Sequence, residues 1–338
     1  YIGDWSSDVC SADLTAYNAA KTDYALGQTC SFGHRVYESL AAQTAANPLP
    51  VLPETETTAW LDVGPTLRYA MFDLDRNTQT VSPTPNAIVV TPGMRVNTLG
   101  LTGMVGNTLT VSATSSSAGG IIYPLAHDNT RAYNKNECVT IAFTTCYKSK
   151  IDNNTFTPPN ATYWDVVAGA VFDLNTREVF DATTYYYEPF STKPSKTIFN
   201  LPLVSDIVIT VSLAANSGNA KIGGFVVGVN TYIGKLLKPT ANTGMSFSTV
   251  KRDLNGSSTH IKRKMIRRLT GQVLLAGYRV DRVLLERERL DAVAALYTGT
   301  EEDGDWTGAT TIIGTLKDFP IGTTDGTEAM IPFVAEEI

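Results

Sequence analysis

The stretch FDLDRN, which ends at Asn77, is the segment of this 338-residue chain that most resembles a metal site. Asp73, Asp75 and Asn77 stand at alternate positions, as do the first three ligands of an EF-hand calcium loop. The sixth position of such a loop needs glycine for its sharp turn, and here it is Thr78. The twelfth needs a bidentate glutamate, and here it is Thr84. We therefore expect a solvated turn and no metal.

Catalytic signals are equally weak. The three histidines, His34, His127 and His260, fall in different segments, and no G-x-S-x-G motif is present. The glycines of residues 100–106 lack the Lys-Ser/Thr pair of a phosphate-binding loop and precede a strand-like run rather than a helix. We predict no catalytic residue, no cofactor and no metal, and thus a protein that is not an enzyme.

Composition indicates a globular chain, with 43% hydrophobic and 18% charged residues. The net charge of −6 argues against a nucleic-acid partner, and no apolar run is long enough to predict a membrane span. The four cysteines (Cys10, Cys30, Cys138 and Cys146) include no C-x-x-C pair, so we expect free thiols.

The chain divides into four segments that differ in composition and residue pattern. Residues 1–14, which contain DWSSDVCSADL, resemble the translation of a sequencing adapter, and we expect an artefactual leader there. Residues 15–65 carry spaced aromatics and turn residues, which indicate a small two-hairpin module. Residues 66–238 contain short β-branched runs separated by turn signals, which predict an antiparallel β-sandwich.

The last segment, residues 239–338, is predicted to be an α+β domain with one helix. Asn255-Gly256 stands between two alternating runs, the typical signature of a hairpin. We expect the helix within LLERERLDAVAALYTG, and its buried side should carry Leu285, Leu290, Val293, Ala294 and Leu296 or Tyr297. Two strands should follow, around ATTIIGTLKDF and EAMIPFVAEE.

The run HIKRKMIRRL is the densest charge feature of the chain. Without interleaved aromatics in an acidic chain, it does not favour nucleic-acid binding. We expect it to protect a strand edge or to contact the acidic EEDGD loop of a neighbouring subunit. The predicted assembly contacts in this run are its five cations: Lys262, Arg263, Lys264, Arg267 and Arg268.

The first module carries Tyr24-x-x-Gly27, Val36-Tyr37-Glu38-Ser39 and Trp60, and it resembles small carbohydrate-binding modules of the chitin-binding type. Gln28 and Cys30 depart from that pattern. Tyr24, Tyr37 and Trp60 could stack on the apolar face of a sugar, or they could form the core of a module with few other large apolar residues. The second interpretation is favoured, and both stay open.

Four phrases in order resemble a family of tailed-bacteriophage tail proteins: WLDVGP (60–65), RYAMFD (68–73), YYYEPF (185–190) and KDF (317–319). The resemblance implies a structural subunit of the virion, at the tail tip, baseplate or an appendage, which assembles with its own copies and with other tail proteins. Tyr186 and Phe190 of the third phrase are further predicted assembly contacts. The chain departs from the family pattern in an unusually long segment between Gly119 and Tyr163.

Two alternatives remain at this stage. The chain could be a tail protein that recognises a host surface glycan, with Tyr37 or Trp60 exposed in a shallow groove. It could also be a secreted polysaccharide-active enzyme, with paired carboxylates in an aromatic cleft.

Overall fold

Antiparallel strands dominate the computed structural model of the chain, with 51% of residues in strands and 7% in helices. This confirms the predicted mainly β fold. The structure describes residues 16–17, 24–42, 58–76, 78–82, 86–175, 192–252, 257–261, 263, 265–299, 307–320 and 327–338. The expected leader, the EEDGD loop and the phrase YYYEPF, with Tyr186 and Phe190, lie outside these residues.

A three-stranded antiparallel sheet forms the first module, in the order β1-β2-β3. Gly33 and His34 join the first two strands, and both have positive φ (54° and 68°), the backbone geometry of a type I′ hairpin turn. Asn or Gly is usual where His34 stands, because a β-carbon is strained in this region. The strands are β1 (Thr29–Phe32), β2 (Arg35–Ser39) and β3 (Trp60–Pro65).

The central segment begins with a 3₁₀ turn at Ala70–Phe72 and contains strands of two facing sheets. Its strands are β4 (Thr80–Ser82), β5 (Asn86–Val90), β6 (Thr98–Thr102), β7 (Thr108–Ser115), β8 (Gly120–Tyr123), β9 (Cys138–Ile141), β10 (Thr145–Ser149), β11 (Trp164–Val167), β12 (Ala170–Asp173), β13 (Ser195–Ile198), β14 (Ile207–Ala214), β15 (Ala220–Ile222) and β16 (Gly224–Gly228).

One sheet of the sandwich has the order β12-β7-β14-β5, with β8 added to β7. The other face is made by β13-β6-β16 and the pair β15-β4. Buried and part-exposed residues alternate strictly along β7 and β14, so each strand turns one apolar row inward. Leu109, Ile209, Leu101 and Phe225 come from both faces and share one core, which makes this segment a β-sandwich.

Asp206 joins the ends of β7 and β14. Its carboxylate accepts hydrogen bonds from the hydroxyls of Ser115, Ser116 and Ser117 and from the Ser117 backbone N–H, each at 2.8 Å. These bonds favour the charged form, the Ser117 N–H most strongly, and they hold the pKa of Asp206 well below its ordinary value.

Between Gly119 and Tyr163, β8 joins the sandwich, whereas β9 and β10 form a small separate sheet with the next strand, in the order β11-β10-β9. Tyr133, Val139 and Trp164 make its core, separate from the core of the sandwich. His127 stacks on Tyr133 with ring centroids 5.1 Å apart. Burial lowers the pKa of this histidine, although hydrogen bonding to Asn129 opposes the shift.

The C-terminal segment is a five-stranded antiparallel sheet in the order β17-β20-β23-β22-β21. A short hairpin, β18-β19, stands between β17 and β20 in sequence, as the Asn-Gly signal predicted, although the turn residues 253–256 lie outside the description. The elements are β17 (Lys235–Ser246), β18 (Thr249–Arg252), β19 (Ser258–Ile261), β20 (Met265–Ala276), a 3₁₀ turn (Gly277–Arg279), helix α1 (Val280–Arg289), β21 (Ala295–Tyr297), the four-residue helix α2 (Thr307–Thr310), β22 (Ile312–Asp318) and β23 (Glu328–Glu337).

Helix α1 lies earlier in the chain than the sequence predicted. It packs Val283 into the C-terminal core, whereas Leu285 is 66% exposed, so the predicted buried stripe was wrong. The residues after Ala292, which has a φ of 56°, pair as β21 with β22. Their tertiary strand pairing therefore outweighed the helical propensity of an alanine-rich run.

A charged cluster joins the C-terminal sheet to the sandwich. The Glu337 side chain on β23 is 3% exposed, and its Oε1 lies 3.3 Å from Nε of Arg76, which follows the 3₁₀ turn of the sandwich. Its Oε2 accepts the backbone N–H of Arg267 on β20 at 3.0 Å. The buried hydroxyls of Thr102 and Ser195 lie in the same junction, around a 10 Å³ cavity.

Candidate assembly surface

The two longest strands of the C-terminal sheet extend beyond its core. Within β20, every second residue from Leu269 to Leu275 is buried and the residues between them are exposed or part-buried, whereas Met265 is exposed. On β17, which pairs with β20 in the same sheet, residues 241–246 are all exposed. A shift of register between Leu237 and Ala241 marks where β17 leaves the body of the sheet. We call residues 241–268 the arm, which includes the β18-β19 hairpin.

The described residues of the arm present apolar side chains to solvent, and none of them belongs to the hydrophobic core of the C-terminal sheet. Met245, Phe247, Val250 and Met265 are between 41% and 55% exposed. Within the arm, four residue pairs, from Thr243 opposite Arg268 to Ser246 opposite Met265, extend the two strands by roughly 14 Å at 3.4 Å per residue. A two-stranded ribbon is at best marginally stable in water, so such an arm gains from contact with another surface.

Charge separates the arm from the rest of the chain. Residues 241–268 contain seven Lys or Arg and one Asp, a net charge of +6. Because the whole chain carries −6, the remaining residues carry −12. A basic arm on an acidic body is complementary to the body of a second copy.

The predicted assembly cations divide into three groups. Arg263 and Arg268 are exposed on the arm. Arg267 is half-buried at its base, where burial, and then repulsion from Arg76, lower its pKa against the pull of Glu337. Lys262 and Lys264 are among the residues whose placement is not described.

The basic run did not reveal two further cations of the arm, Lys251 and Arg252. Both are exposed on β18, where they face Thr259 and Ser258 of β19. The hairpin signal at Asn255-Gly256 could have identified them, because it folds their strand back along the basic run.

The aromatic residues of the first module lie in its core. Tyr24, Tyr37 and Trp60 are only 1–4% exposed, and the rings of Tyr24 and Trp60 meet edge to face at 5.2 Å. This burial agrees with the packing interpretation and leaves these three rings no open face for a sugar. Tyr17 extends the cluster and stacks on Tyr24 at 5.9 Å.

A different surface of the module is concave. Where β1 and β2 meet the start of the sandwich, an open groove of 260 Å³ has no carboxylate in its described lining. His34 on the hairpin turn stacks on Tyr69 with ring centroids 3.9 Å apart. The groove is lined mainly by Ser31, Phe32, His34, Thr66, Arg68 and Tyr69.

The stretch FDLDRN, which resembles part of a calcium loop, forms a turn with hydrogen bonds made within the turn itself. The Asp73 carboxylate accepts the Asp75 backbone N–H at 2.8 Å and the hydroxyl of Thr78. Burial nevertheless raises the pKa of Asp73 above its usual value. Over the part of the chain that the structure describes, no three His, Cys, Asp or Glu side chains are grouped to hold a metal ion.

Comparisons of this chain with protein-family models, with curated proteins and with solved structures give no match. Among the helices in the described ranges, none has the length and apolar character needed to cross a membrane.

Proposed function

We propose that the chain is a structural subunit of a bacteriophage tail, at the tip, baseplate or an appendage, which acts by assembling with copies of itself and with other tail proteins. The four ordered phrases motivate the tail identity. The observation that carries the assembly role is the arm, a basic two-stranded extension whose described residues expose apolar side chains and lie outside the hydrophobic cores.

The composition of the arm suits a protein contact. Methionine, arginine and aromatic residues are enriched at protein interfaces, and Met245, Phe247 and Arg268 are exposed on the arm. Its positive charge would steer it towards acidic surfaces, such as the body of a second copy. Assembly should therefore weaken as salt is added, since screening reduces contacts between exposed charges.

Sedimentation velocity on the whole chain tests the assembly role. We expect oligomers at low salt that dissociate when Lys251, Arg252 and Arg263 are all changed to Glu. The matched control changes three exposed cations away from the arm, Arg95, Lys135 and Arg282, to Glu and gives the same change in net charge. Oligomers in the control but not in the arm variant support the proposal. A wild-type chain that stays monomeric at low salt, or an arm variant that assembles normally, overturns it.

The tail identity has a separate test. Tails can be separated from heads in a tailed phage that encodes a chain with these four phrases, and their peptides identified by mass spectrometry. We expect peptides of the chain in the tail fraction. Their absence from the tails and presence among secreted proteins would contradict a virion role.

A second function, recognition of a host surface glycan, is favoured by the groove. Its aromatic rings, its Ser31 and Thr66 hydroxyls and its Arg68 side chain are the groups that bind a sugar ring with an anionic substituent. Its 260 Å³ is below the roughly 300–1,000 Å³ typical of small-molecule sites, so one ring rather than a chain would occupy it.

Titration calorimetry with glucuronic acid, and with glucose as the neutral control, tests this second function. We expect heat of binding with glucuronic acid that is lost in Arg68→Gln and retained in Arg95→Gln, an exposed arginine outside the groove. Equal responses to the two sugars, or none to glucuronic acid, would exclude an anionic sugar.

A further inference from the structure

The outer edge of the arm carries no charged residue and no proline beyond its base, where β17 has Lys238, Pro239 and a shift of register. β17 is the terminal strand of the five-stranded sheet, so one side of its backbone has no neighbouring strand among the described residues. Residues 240–250 read TANTGMSFSTV, with no charged residue and no proline. Natural edge strands are commonly blunted by lysine, proline, a bulge or short length, because an open edge pairs readily with other strands.

The opposite edge of the arm is protected. β20 carries Arg267 and Arg268 there, and the Arg267 backbone N–H donates to Glu337. β23 pairs with β20 as far as Arg268, opposite Glu336. The absence of charge is thus confined to the β17 side, where no strand of the described residues pairs and where the Asn242 side chain donates to the Ala309 carbonyl of α2.

Charge decides the direction in which a second arm would pair. Two parallel arms would place their cationic β18-β19 hairpins side by side, and each arm carries +6. Two antiparallel arms would place each hairpin beside the base of the other arm, next to a body that carries −12. Repulsion therefore disfavours the parallel arrangement and complementarity favours the antiparallel one.

We infer that β17 of one copy pairs edge to edge with β17 of a second copy, antiparallel and about a two-fold axis, to form one continuous sheet through both arms. This rests on the proposed assembly function and names its partner and its contact. Such an interface is isologous, so the same residues serve on both sides. Each arm then gains main-chain hydrogen bonds along the edge, as in β-strand addition.

Antiparallel pairing about a two-fold axis has a geometric signature. Only the residues nearest the axis approach their own counterparts, whereas an in-register parallel pair would bring every residue close to its counterpart. Single cysteines placed in turn at positions 241 to 249 distinguish these cases. Under mild oxidation, we expect a disulfide-linked dimer at one position and its neighbours, with the wild-type chain as background for the native thiols.

Lysine substitutions on the edge strand test the same contact by repulsion. Thr243→Lys with Met245→Lys adds two charges to β17, and we expect the dimer dissociation constant to rise by about tenfold or more, because like charges on paired strands oppose each other. The control, Thr270→Lys with Gln272→Lys, adds two charges at exposed positions of β20, an inner strand of the sheet. We expect its dissociation constant to change by less than about threefold.

The outcomes of these experiments distinguish failure of the β17 pairing from failure of the proposed assembly function. Cross-links spread evenly from 241 to 249 overturn the antiparallel pairing. Normal assembly of the edge variant, combined with loss of assembly in the Lys251, Arg252 and Arg263 variant, overturns the strand pairing and leaves the assembly role in place. A monomeric wild-type chain overturns both.

Discussion

The Glu337 carboxylate lies at the junction between the sandwich and the C-terminal sheet, and we predict that Glu337→Gln destabilises the fold. The side chain is 3% exposed, with one oxygen 3.3 Å from the Arg76 Nε and the other accepting the Arg267 backbone N–H. Arg267 is itself half-buried, and repulsion from Arg76 contributes to its lowered pKa. Without the carboxylate, two nearby guanidinium groups lose their shared counter-charge.

The expected magnitude follows from the burial of these groups. Removing one partner of a buried ion pair costs about 3–5 kcal/mol, because the other charge remains desolvated and unpaired. Arg76 keeps 18% of its side chain exposed, and glutamine can still accept the Arg267 N–H. Both facts reduce the loss, and we expect about 2–3 kcal/mol in the free energy of unfolding.

Urea unfolding followed by circular dichroism measures this loss. The matched control is Glu336→Gln on the same strand, where the side chain is less buried and faces Arg268; we expect a change within about 0.5 kcal/mol. Adding Arg76→Met to Glu337→Gln should recover part of the stability, because it removes the cation that lost its partner. Equal midpoints for the Glu337→Gln and Glu336→Gln variants would refute the reasoning.

Three further predictions concern the sandwich, the first module and the C-terminal sheet. Hydrogen bonds lower the pKa of Asp206 in the folded state, so its contribution to stability is present above the unfolded pKa of about 3.9 and is lost as the pH falls towards the folded pKa. We therefore expect Asp206→Asn to flatten the acid limb of a plot of urea midpoint against pH. An unchanged acid limb would contradict this. Trp60→Ala, at a position 2% exposed, should cost about 3–5 kcal/mol and reduce the near-ultraviolet dichroism, to which Tyr24 and Tyr37 also contribute; a loss below about 1 kcal/mol would show that the ring is not part of a packed core. Gly314→Ala would place a β-carbon 2.0 Å from the Glu336 carbonyl oxygen and should lower the free energy of unfolding by roughly 1–3 kcal/mol, whereas Gly228→Ala, with no atom within 4 Å, is the control and should stay near the wild-type value.

The β architecture could be predicted because the alternation of side chains directly specifies which face of a strand is buried. In β14, Ile207, Ile209, Val211 and Leu213 stand at every second position and are all buried. Strand β23 was predictable for the same reason, whereas the β18-β19 hairpin, which is exposed on both faces of β18, was indicated by its Asn-Gly turn. These features depend on neighbours in sequence, which a single sequence shows.

The helix boundary could not be predicted in this way. The run after Leu290 is rich in alanine and leucine, which favour helix, but Ala295 to Tyr297 gain strand pairing with β22. That pairing depends on a strand more than ten residues further along the chain. The groove was missed for a similar reason, because its aromatic lining joins Phe32 and His34 of the first module to Tyr69 of the next segment.

The basic run shows how strand register gives similar residues different roles. Leu269, Gly271, Val273 and Leu275 of β20 are buried, and a strand alternates its faces. The side chain of Arg267 therefore lies on the core-facing side, where the Arg76–Glu337 pair is found, whereas Arg268 lies on the opposite, exposed side. If the alternation is continued back from Leu269 to Arg267, the sequence alone places Arg267 and Arg268 on opposite faces of the strand. A count of positive charges that ignores strand register assigns Arg267 to the assembly surface. In the structure, Arg267 instead lies with Glu337 and Arg76 where the sandwich meets the C-terminal sheet.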